Sequence, residues 1–240
     1  MNETDHDGGE SGIRLSKRVA AEAACSRREA ELLIENGAVR VDGEPVLLPQ
    51  ARVRADQRIE IEAGARPVPV GPVTLLLHKP AGLAIEQARR LLGPAKYHAP
   101  ERAGLRFLPR HVAGQRFMTP IEEEASGLLV YTQEWRVERR LTEDAALLEH
   151  ELMVDVGGPV GPDQLARLNE GPAHVSISQQ AEGHTGLRFA LKGPQPGDVP
   201  QQCHAAGLQV LAMRRLRIGR VGLSGLLEGQ WRYLLPHERF

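Results

Sequence analysis

Three consecutive glutamates, residues 122–124, are the first group in the chain whose chemistry could serve a reaction. A carboxylate acts as a general acid, a general base or a nucleophile when a neighbouring group holds it in place. The surrounding sequence offers no evident partner of that kind. Three acids in a row also suit a solvated surface turn, so the residues alone leave both interpretations open.

Basic residues at the starts of two predicted helices form a second candidate site, which suits a phosphate. Arg14, Lys17 and Arg18 lie off the apolar stripe of the first helix. Arg27 and Arg28 fall in the first turn of the second. A helix N-terminus presents free N–H groups and a partial positive charge, so arginines placed there favour an anion. Glutamates in the same helices balance most of this charge, and a solvated surface is the alternative.

Local sequence signals predict the elements that position these basic residues. Apolar spacing predicts the first helix over residues 15–24. A Ser-x-x-Glu capping box predicts the second over residues 27–36, ending at a glycine. An Asp-Gly turn and strand-like residues 46–48 predict a hairpin that places Arg40 near the same surface.

Composition limits the class of protein. The 240 residues are 41% hydrophobic, enough for one large domain or for a small and a medium one. The 30 basic and 31 acidic residues nearly cancel, so a nucleic-acid surface must be a local patch. Two distant cysteines and nine scattered histidines predict neither a disulfide nor a metal site. No apolar run predicts a signal peptide or membrane helix, so we expect a cytoplasmic protein of bacterial type.

Composition shifts along the chain predict its domain organisation. Residues 1–11 are acidic and almost free of apolar side chains, which predicts a disordered tail. A proline-spaced linker over residues 63–72 separates a small domain, residues 12–62, from a second domain, residues 73–240.

The second domain mixes many predicted strands with few helices, an α+β arrangement. A buried strand over residues 73–78 delivers Lys79 to a Pro-Ala-Gly turn, where we expect it to contact RNA. A loop over residues 93–116 interleaves basic and aromatic side chains, a mixture that suits unstacked RNA or a mobile surface loop. Other strands are predicted over residues 127–132, 152–156, 175–178 and 187–191, and helices over residues 136–148 and 163–169.

A basic strand near the C-terminus is the last candidate site. Strand alternation places Arg215 and Arg217 on one face, with Leu216 and Ile218 on the other. Two arginines on one exposed face could contact phosphate together.

The residues of the small domain closely resemble the RNA-binding module named after ribosomal protein S4. The resemblance is carried by Arg-Leu-Ser-Lys at residues 14–17, Cys-Ser-Arg-Arg-Glu-Ala at residues 25–30 and Gly-Ala-Val-Arg-Val-Asp-Gly at residues 37–43. It implies that the basic residues above, with Arg40, contact RNA.

The whole chain after residue 11 resembles bacterial ribosomal pseudouridine synthases of the RsuA/RluB/RluF type. The shared motifs are Lys-Pro-x-Gly at residues 79–82, Ser-Gly-Leu-Leu at residues 126–129 and an Arg-Ile-x-x-Val-x-Leu…Gly-x-Trp-Arg ending at residues 217–232. The resemblance implies an alpha-L, S4-like domain followed by a mixed, mainly antiparallel synthase domain. It also implies a flipped uridine, structured ribosomal RNA as partner, no metal or organic cofactor, and we expect a monomer.

Motifs that carry the family's chemistry are substituted in this chain. The family loop reads Gly-Arg-Leu-Asp, where Glu122 now stands for the catalytic aspartate and Pro120 for the arginine that pairs with it. Leu152 replaces a tyrosine that packs on the flipped base, with His150 near the position of a lysine. A basic family segment becomes Gly-Pro-Gln-Pro-Gly-Asp-Val-Pro-Gln-Gln at residues 193–202.

Three hypotheses follow from these substitutions. The favoured one is an RNA-binding protein with lost or weak catalysis. The second is an active pseudouridine synthase for ribosomal or transfer RNA that uses Glu122. The third is a protein-interaction scaffold, indicated by the near-neutral charge and the Gln/Pro-rich replacement of the basic segment.

Overall fold

A computed structural model describes residues 12–98, 106–223 and 225–240. The predicted tail, residues 1–11, lies outside the described residues. The described residues form two compact units, the first within residues 12–71 and 106–113 and the second within residues 72–98 and 114–240.

The first unit packs two helices against short strands. Its elements are β1 (Ile13–Arg14), α1 (Leu15–Glu22), α2 (Arg27–Glu35), β2 (Val39–Val41), β3 (Glu44–Pro45), β4 (Arg52–Val53) and β5 (Ile59–Ile61). β1 pairs with β4, and β3, β2 and β5 form a second small sheet. Leu15, Val19, Leu33, Ile34 and Val39 are buried together and hold the helices to this sheet.

The second helix begins and ends as the sequence predicts. The Ser26 hydroxyl accepts a hydrogen bond from the Glu29 N–H, and the Glu29 carboxylate accepts one from the Ser26 N–H. Gly37 follows the helix with a φ of 73°, a left-handed conformation that favours glycine. The first helix is shorter than predicted, because the chain leaves it before Ala24, whose φ is 50°.

The hairpin differs from the prediction in its second strand. β3 is Glu44–Pro45, directly after the Asp-Gly turn, and residues 46–48 are not a strand. A two-residue turn pairs the residues beside it, Val41 with Glu44, so the strand must start earlier than the apolar residues suggest. β5 pairs with the other edge of β2, a contact between distant residues that local patterns do not reveal.

The second unit is built on a nine-stranded sheet. Its strands are β6 (Thr74–Lys79), β7 (Arg116–Phe117), β8 (Ser126–Thr132), β9 (Glu149–Gly157), β10 (His174–Ala181), β11 (His184–Lys192), β12 (Val210–Ile218), β13 (Val221–Gly222) and β14 (Trp231–Tyr233). The main order is β10-β11-β9-β12-β8-β6-β14. Only β12 and β8 run parallel among the described pairs, so the sheet is mixed and mainly antiparallel, as predicted.

Helices flank this sheet. They are α3 (Ile85–Ala88), α5 (Trp135–Thr142), α6 (Pro162–Leu168) and α7 (Asp198–Ala205), while α4 (Pro109–Val112) belongs to the first unit. α5 ends six residues earlier than predicted, and the chain re-forms a single turn at Ala145–Leu147. Leu76, Leu128, Leu141 and Ile218 are buried together between α5 and the sheet.

The predicted loop over residues 93–116 is divided between the units. Tyr97 stacks near Trp231 and Tyr233 in the second unit, with ring centroids 4.8 and 5.3 Å apart. Arg106 Nη1 donates a hydrogen bond of 2.9 Å to the Gly37 carbonyl in the first. Tyr97 and Arg106 therefore each contact their own unit, while Lys96, Arg110 and Arg116 are exposed. RNA contact by this loop stays a prediction.

Candidate functional site

A cationic cleft lies in the first unit. Its volume is about 310 Å³, and its lining consists of Gly12, Ile13, Arg14, Lys17, Arg27 and Arg52. Arg14 is the N-cap residue of α1, and Arg27 is the first residue of α2. The lining contains four cations and no acid, and two of the cations, Arg14 and Arg27, lie at helix N-termini, an arrangement that suits a phosphate backbone.

Arg52 is a site residue that the sequence did not reveal. It pairs with Arg14 across β1 and β4, and its Nη1 donates to the Gly12 carbonyl at 2.8 Å. This pairing joins residues 38 positions apart through strands of two residues each, which are too short to show a periodic pattern.

Other basic residues predicted to bind RNA lie outside this lining. Arg18 forms an ion pair with Glu22 and donates to the carbonyls of Arg54 and Ala55. Arg40 donates to the Gly43 carbonyl within its own hairpin. Arg28 is exposed and lies 3.5 Å from Glu31. RNA contact by these three residues stays a prediction.

In the second unit, the glutamate loop is held by a buried lysine. Lys79, at the end of β6, is fully buried, and its Nζ donates to the carbonyls of Glu123 and Ala125, both at 2.7 Å, and of Pro80 at 3.1 Å. Burial lowers the pKa of Lys79, while the carboxylates of residues 122–124 act in the opposite direction. The ammonium group therefore fixes the loop backbone.

A buried arginine holds the other side of the same loop. Arg215 is 2% exposed and donates to the carbonyls of Thr119 at 2.6 Å, Pro120 at 3.0 Å and Leu128 at 2.7 and 2.9 Å. Burial lowers the pKa of Arg215 to about 9, opposed by the charge of Glu122, so the side chain is still a cation at neutral pH.

These positions correct two predictions. Lys79 and Arg215 are inside the unit, where they position a loop and do not present their charge to RNA. Arg215 and Arg217 also do not share an exposed face, because a bulge in β12 pairs Arg215 with Leu152 but Arg217 with Glu151. Alternation along a strand holds only where no extra residue interrupts it.

Arg217 belongs to a ladder of ion pairs across β11, β9 and β12. It contacts Glu149 at 2.7 Å and Glu151 at 3.0 Å, and Glu151 also pairs with Arg188. The hydrogen bond to Glu149 raises the pKa of Arg217. Two carboxylates thus offset its charge, and phosphate contact by Arg217 stays a prediction.

Glu122 lies between the two cation-held ends of its loop. Its Oε1 accepts a hydrogen bond of 2.6 Å from the Gly197 N–H. In the described part of the chain, no lysine or arginine lies within 4 Å of its carboxylate. The positive charge of Arg215 attracts the Glu122 carboxylate from a greater distance. Pro120, where the resemblance expects an arginine, offers only its carbonyl, to Arg215.

A small cavity of about 190 Å³ opens beside this loop. Thr119, Pro120, His150, Gln195 and Arg215 are in its wall. His150 is 8% exposed, and among the described residues its buried Nδ1 has no hydrogen-bond partner. Burial lowers the pKa of His150 to about 3, reinforced by Arg215 and Arg217, so the imidazole is neutral.

The other substituted motifs are also placed by the sheet. Leu152, at the position expected for a tyrosine, is buried on β9 opposite Arg215 and Phe189. The segment that replaces the basic family motif runs through Gly197 into α7 and carries glutamines. Neither an aromatic platform nor a basic segment therefore borders Glu122.

Comparison with known proteins identifies both units. The S4 domain family matches residues 13–59. A protein of Aquifex aeolicus (strain VF5) named an uncharacterized RNA pseudouridine synthase is 26% identical over 234 residues, covering 94% of each chain. The chain resembles RNA pseudouridine synthases along nearly its whole length. Ribosomal large subunit pseudouridine synthase B of Bacillus subtilis (strain 168) is 25% identical, covering 94% of this chain and 93% of that one.

A solved structure agrees with this assignment of the fold. The crystal structure of a pseudouridylate synthase has a TM-score of 0.56 with this chain at 20% identity, covering 93% of this chain and 96% of that one. The S4 domain followed by a pseudouridine-synthase-like unit, which the sequence predicts, is therefore confirmed.

The described residues contain neither a candidate metal cluster nor a candidate membrane-spanning helix. Among residues 12–98, 106–223 and 225–240, no cluster of three His, Cys, Asp or Glu side chains could hold a metal ion. In the same residues, no helix has the length and apolar character needed to cross a membrane.

Proposed function

We propose that this protein binds structured ribosomal RNA through the cationic cleft of its S4 unit, and that its synthase-like unit has little or no isomerase activity. The single observation that supports RNA binding most directly is the cleft lined by Arg14, Lys17, Arg27 and Arg52 without an acid. Basic side chains at two helix N-termini match the spaced negative charges of an RNA backbone.

The surroundings of Glu122 support the loss of catalysis. Glutamate is one methylene longer than the family aspartate, and a displacement on the order of 1 Å can cost about a hundredfold in rate. Its carboxylate receives a backbone N–H from Gly197 in place of an arginine fork. The buried cation Arg215 instead donates its hydrogen bonds to the carbonyls of Thr119, Pro120 and Leu128.

One observation favours an active synthase as the second candidate. The loop that carries Glu122 is fixed by Lys79 and Arg215 and borders a cavity, as a working site would require. In that case Glu122→Gln would abolish pseudouridine formation without reducing RNA binding.

Adjacent arginines provide a matched test of the cleft. Arg27 and Arg28 open the same helix, are similarly exposed and lie 3.7 and 3.5 Å from Glu31, but only Arg27 lines the cleft. We expect Arg27→Gln to weaken binding to purified ribosomal RNA about tenfold and to lower the salt slope by about one, as for a lost phosphate contact. Arg28→Gln should stay within about twofold of wild type, because we infer from its place outside the lining that Arg28, contrary to the sequence prediction, makes no phosphate contact.

Filter binding or fluorescence anisotropy across a series of salt concentrations measures both quantities. Circular dichroism checks that each variant is folded. Equal affinities for the two variants would contradict binding through this cleft, and equal affinity for ribosomal and transfer RNA would contradict the preference for ribosomal RNA.

A further inference from the structure

The second unit carries an exposed aromatic residue that neither the fold nor the loop of Glu122 uses. Trp135 is the first residue of α5 and is 61% exposed. The guanidinium of Arg136 lies over its ring, 5.6 Å from the centroid. The exposed indole has no role in the core, and an aromatic face beside a cation suits the stacking of a planar ligand.

A cavity adjoins this pair, with Arg136 in its lining. It has a volume of about 670 Å³, within the range of pockets that hold small ligands. Arg136, Arg140 and Arg239 line it together with apolar side chains such as Leu234 and Phe240. Apolar walls suit the face of a nucleobase, and guanidinium groups suit phosphate.

Two arginines beside the cavity can bind an anion, because the carboxylates in the cavity wall interact with other groups. Glu238 pairs with Arg232 at 2.7 Å, and the Glu134 carboxylate accepts a hydrogen bond from the Thr74 hydroxyl. Arg136 and Arg239, by contrast, have no carboxylate within 4 Å in residues 12–98, 106–223 and 225–240. Arg239 donates hydrogen bonds to the carbonyls of Pro236 and Glu238. The surface therefore carries local positive charge in a nearly neutral chain.

We propose that Trp135, Arg136 and the adjoining cavity form a second RNA site, which takes an unpaired segment by stacking one base on the indole and binding phosphate at the arginines. The proposal rests on RNA being the ligand of this protein. Stacking platforms flanked by arginine bind single strands with little sequence preference, since every base has a π-face. An apolar protein partner suits this surface less well than RNA does, because it would offer no phosphate to the guanidinium groups of Arg136 and Arg239.

Tryptophan fluorescence can observe this site directly. The chain has only two tryptophans, and the other, Trp231, is fully buried. Titrating the full chain with a 12-nucleotide oligouridylate at low salt should quench the exposed tryptophan emission. The same length of duplex RNA should quench it much less, because its bases are already stacked.

Affinity supplies a second readout with a matched control. Trp135→Ala should weaken binding of the oligouridylate at least about fivefold, the equivalent of a lost base stack. Leu227→Ala removes a similarly exposed apolar side chain in the same unit and should leave affinity unchanged. Arg27→Gln should leave the tryptophan quenching at saturating RNA intact.

The outcomes separate this proposal from the proposed function. RNA binding that depends on Arg27, with constant tryptophan emission and wild-type affinity for Trp135→Ala, would overturn the second site alone. Tryptophan emission that changes only with protein concentration would assign the surface to a second copy of the chain and also overturn it. Absence of any RNA binding would contradict both proposals.

Discussion

At the scale of single residues, two buried cations of the second unit, Lys79 and Arg215, donate their hydrogen bonds to backbone carbonyls. Lys79 and Arg215 each hold one side of the loop that carries Glu122. Lys79 lies in the Lys-Pro-x-Gly motif of residues 79–82, and Arg215 lies two residues before the motif that begins at Arg217. Together they hold the loop in place, although Pro120, Glu122 and Leu152 stand where the sequence resemblance expects an arginine, an aspartate and a tyrosine. From the sequence alone, both basic residues are expected to be exposed and to contact RNA. Burial of a charged side chain is rare, and no local sequence pattern predicts it.

His150 should make the folded state sensitive to acid. Its pKa is lowered to about 3 in the folded state, against an ordinary value of about 6.5 when unfolded. Between these values the unfolded chain binds the proton that the folded chain excludes, so stability falls as pH decreases below about 6.5. The expected loss from this residue is about 2 kcal/mol between pH 7 and pH 5.

Urea unfolding of wild type and His150→Gln at pH 7, 6 and 5 measures the contribution of His150 to the pH dependence of the free energy of unfolding. Glutamine is polar and does not titrate in this range, so the stability of the variant should depend less on pH by about 2 kcal/mol. Parallel pH dependences for the two proteins would contradict a neutral, buried His150. The comparison uses the pH dependence alone, so a constant packing loss in the variant does not affect it.

At the scale of secondary structure, local signals and long-range pairing differ in how far the sequence reveals them. The capping box at Ser26 and the glycine after it predict α2 closely, since both act within a few residues. The bulge in β12 and the pairing of β1 with β4 depend on strands distant in sequence, and single-chain patterns cannot contain them. For that reason the sequence does not predict Arg52 as a site residue, and strand alternation wrongly puts Arg217 on the same face of β12 as Arg215.

Gly127 should be required by the parallel pairing of β8 and β12. Its φ is 122°, and an added Cβ would lie 2.3 Å from the Arg215 carbonyl oxygen. Gly127→Ala should therefore force the strands apart and cost about 3 kcal/mol or more. Gly183, with a φ of 84° and open space around it, is a matched control whose alanine variant should lose only about 1 kcal/mol.

Thermal or urea unfolding of the two alanine variants distinguishes clash from backbone strain. If Gly127→Ala is too unstable to purify while Gly183→Ala is soluble, the difference in soluble yield supports the same conclusion. Equal losses of stability would show that the close approach of β8 to Arg215 is not important for the fold.

At the scale of the whole molecule, the two units differ in the chemistry that their sites offer. The S4 unit has a cleft lined by four cations, whereas the second unit has Pro120, Glu122 and Leu152 where the sequence resemblance expects an arginine, an aspartate and a tyrosine. Fold class, sheet type and the S4 module could be predicted from motifs. The assignment of residues 106–113 to the first unit could not, since the chain returns to it after entering the second.

The most direct test of RNA binding without isomerisation uses ribosomal RNA from a strain that lacks this protein. Purified wild-type protein and Glu122→Ala are each incubated with that RNA, and pseudouridine formation and binding are measured in the same samples. We expect both proteins to bind with equal affinity and to form no pseudouridine. Pseudouridine formed by wild type but not by Glu122→Ala would contradict the loss of catalysis and establish the glutamate as a working replacement for aspartate.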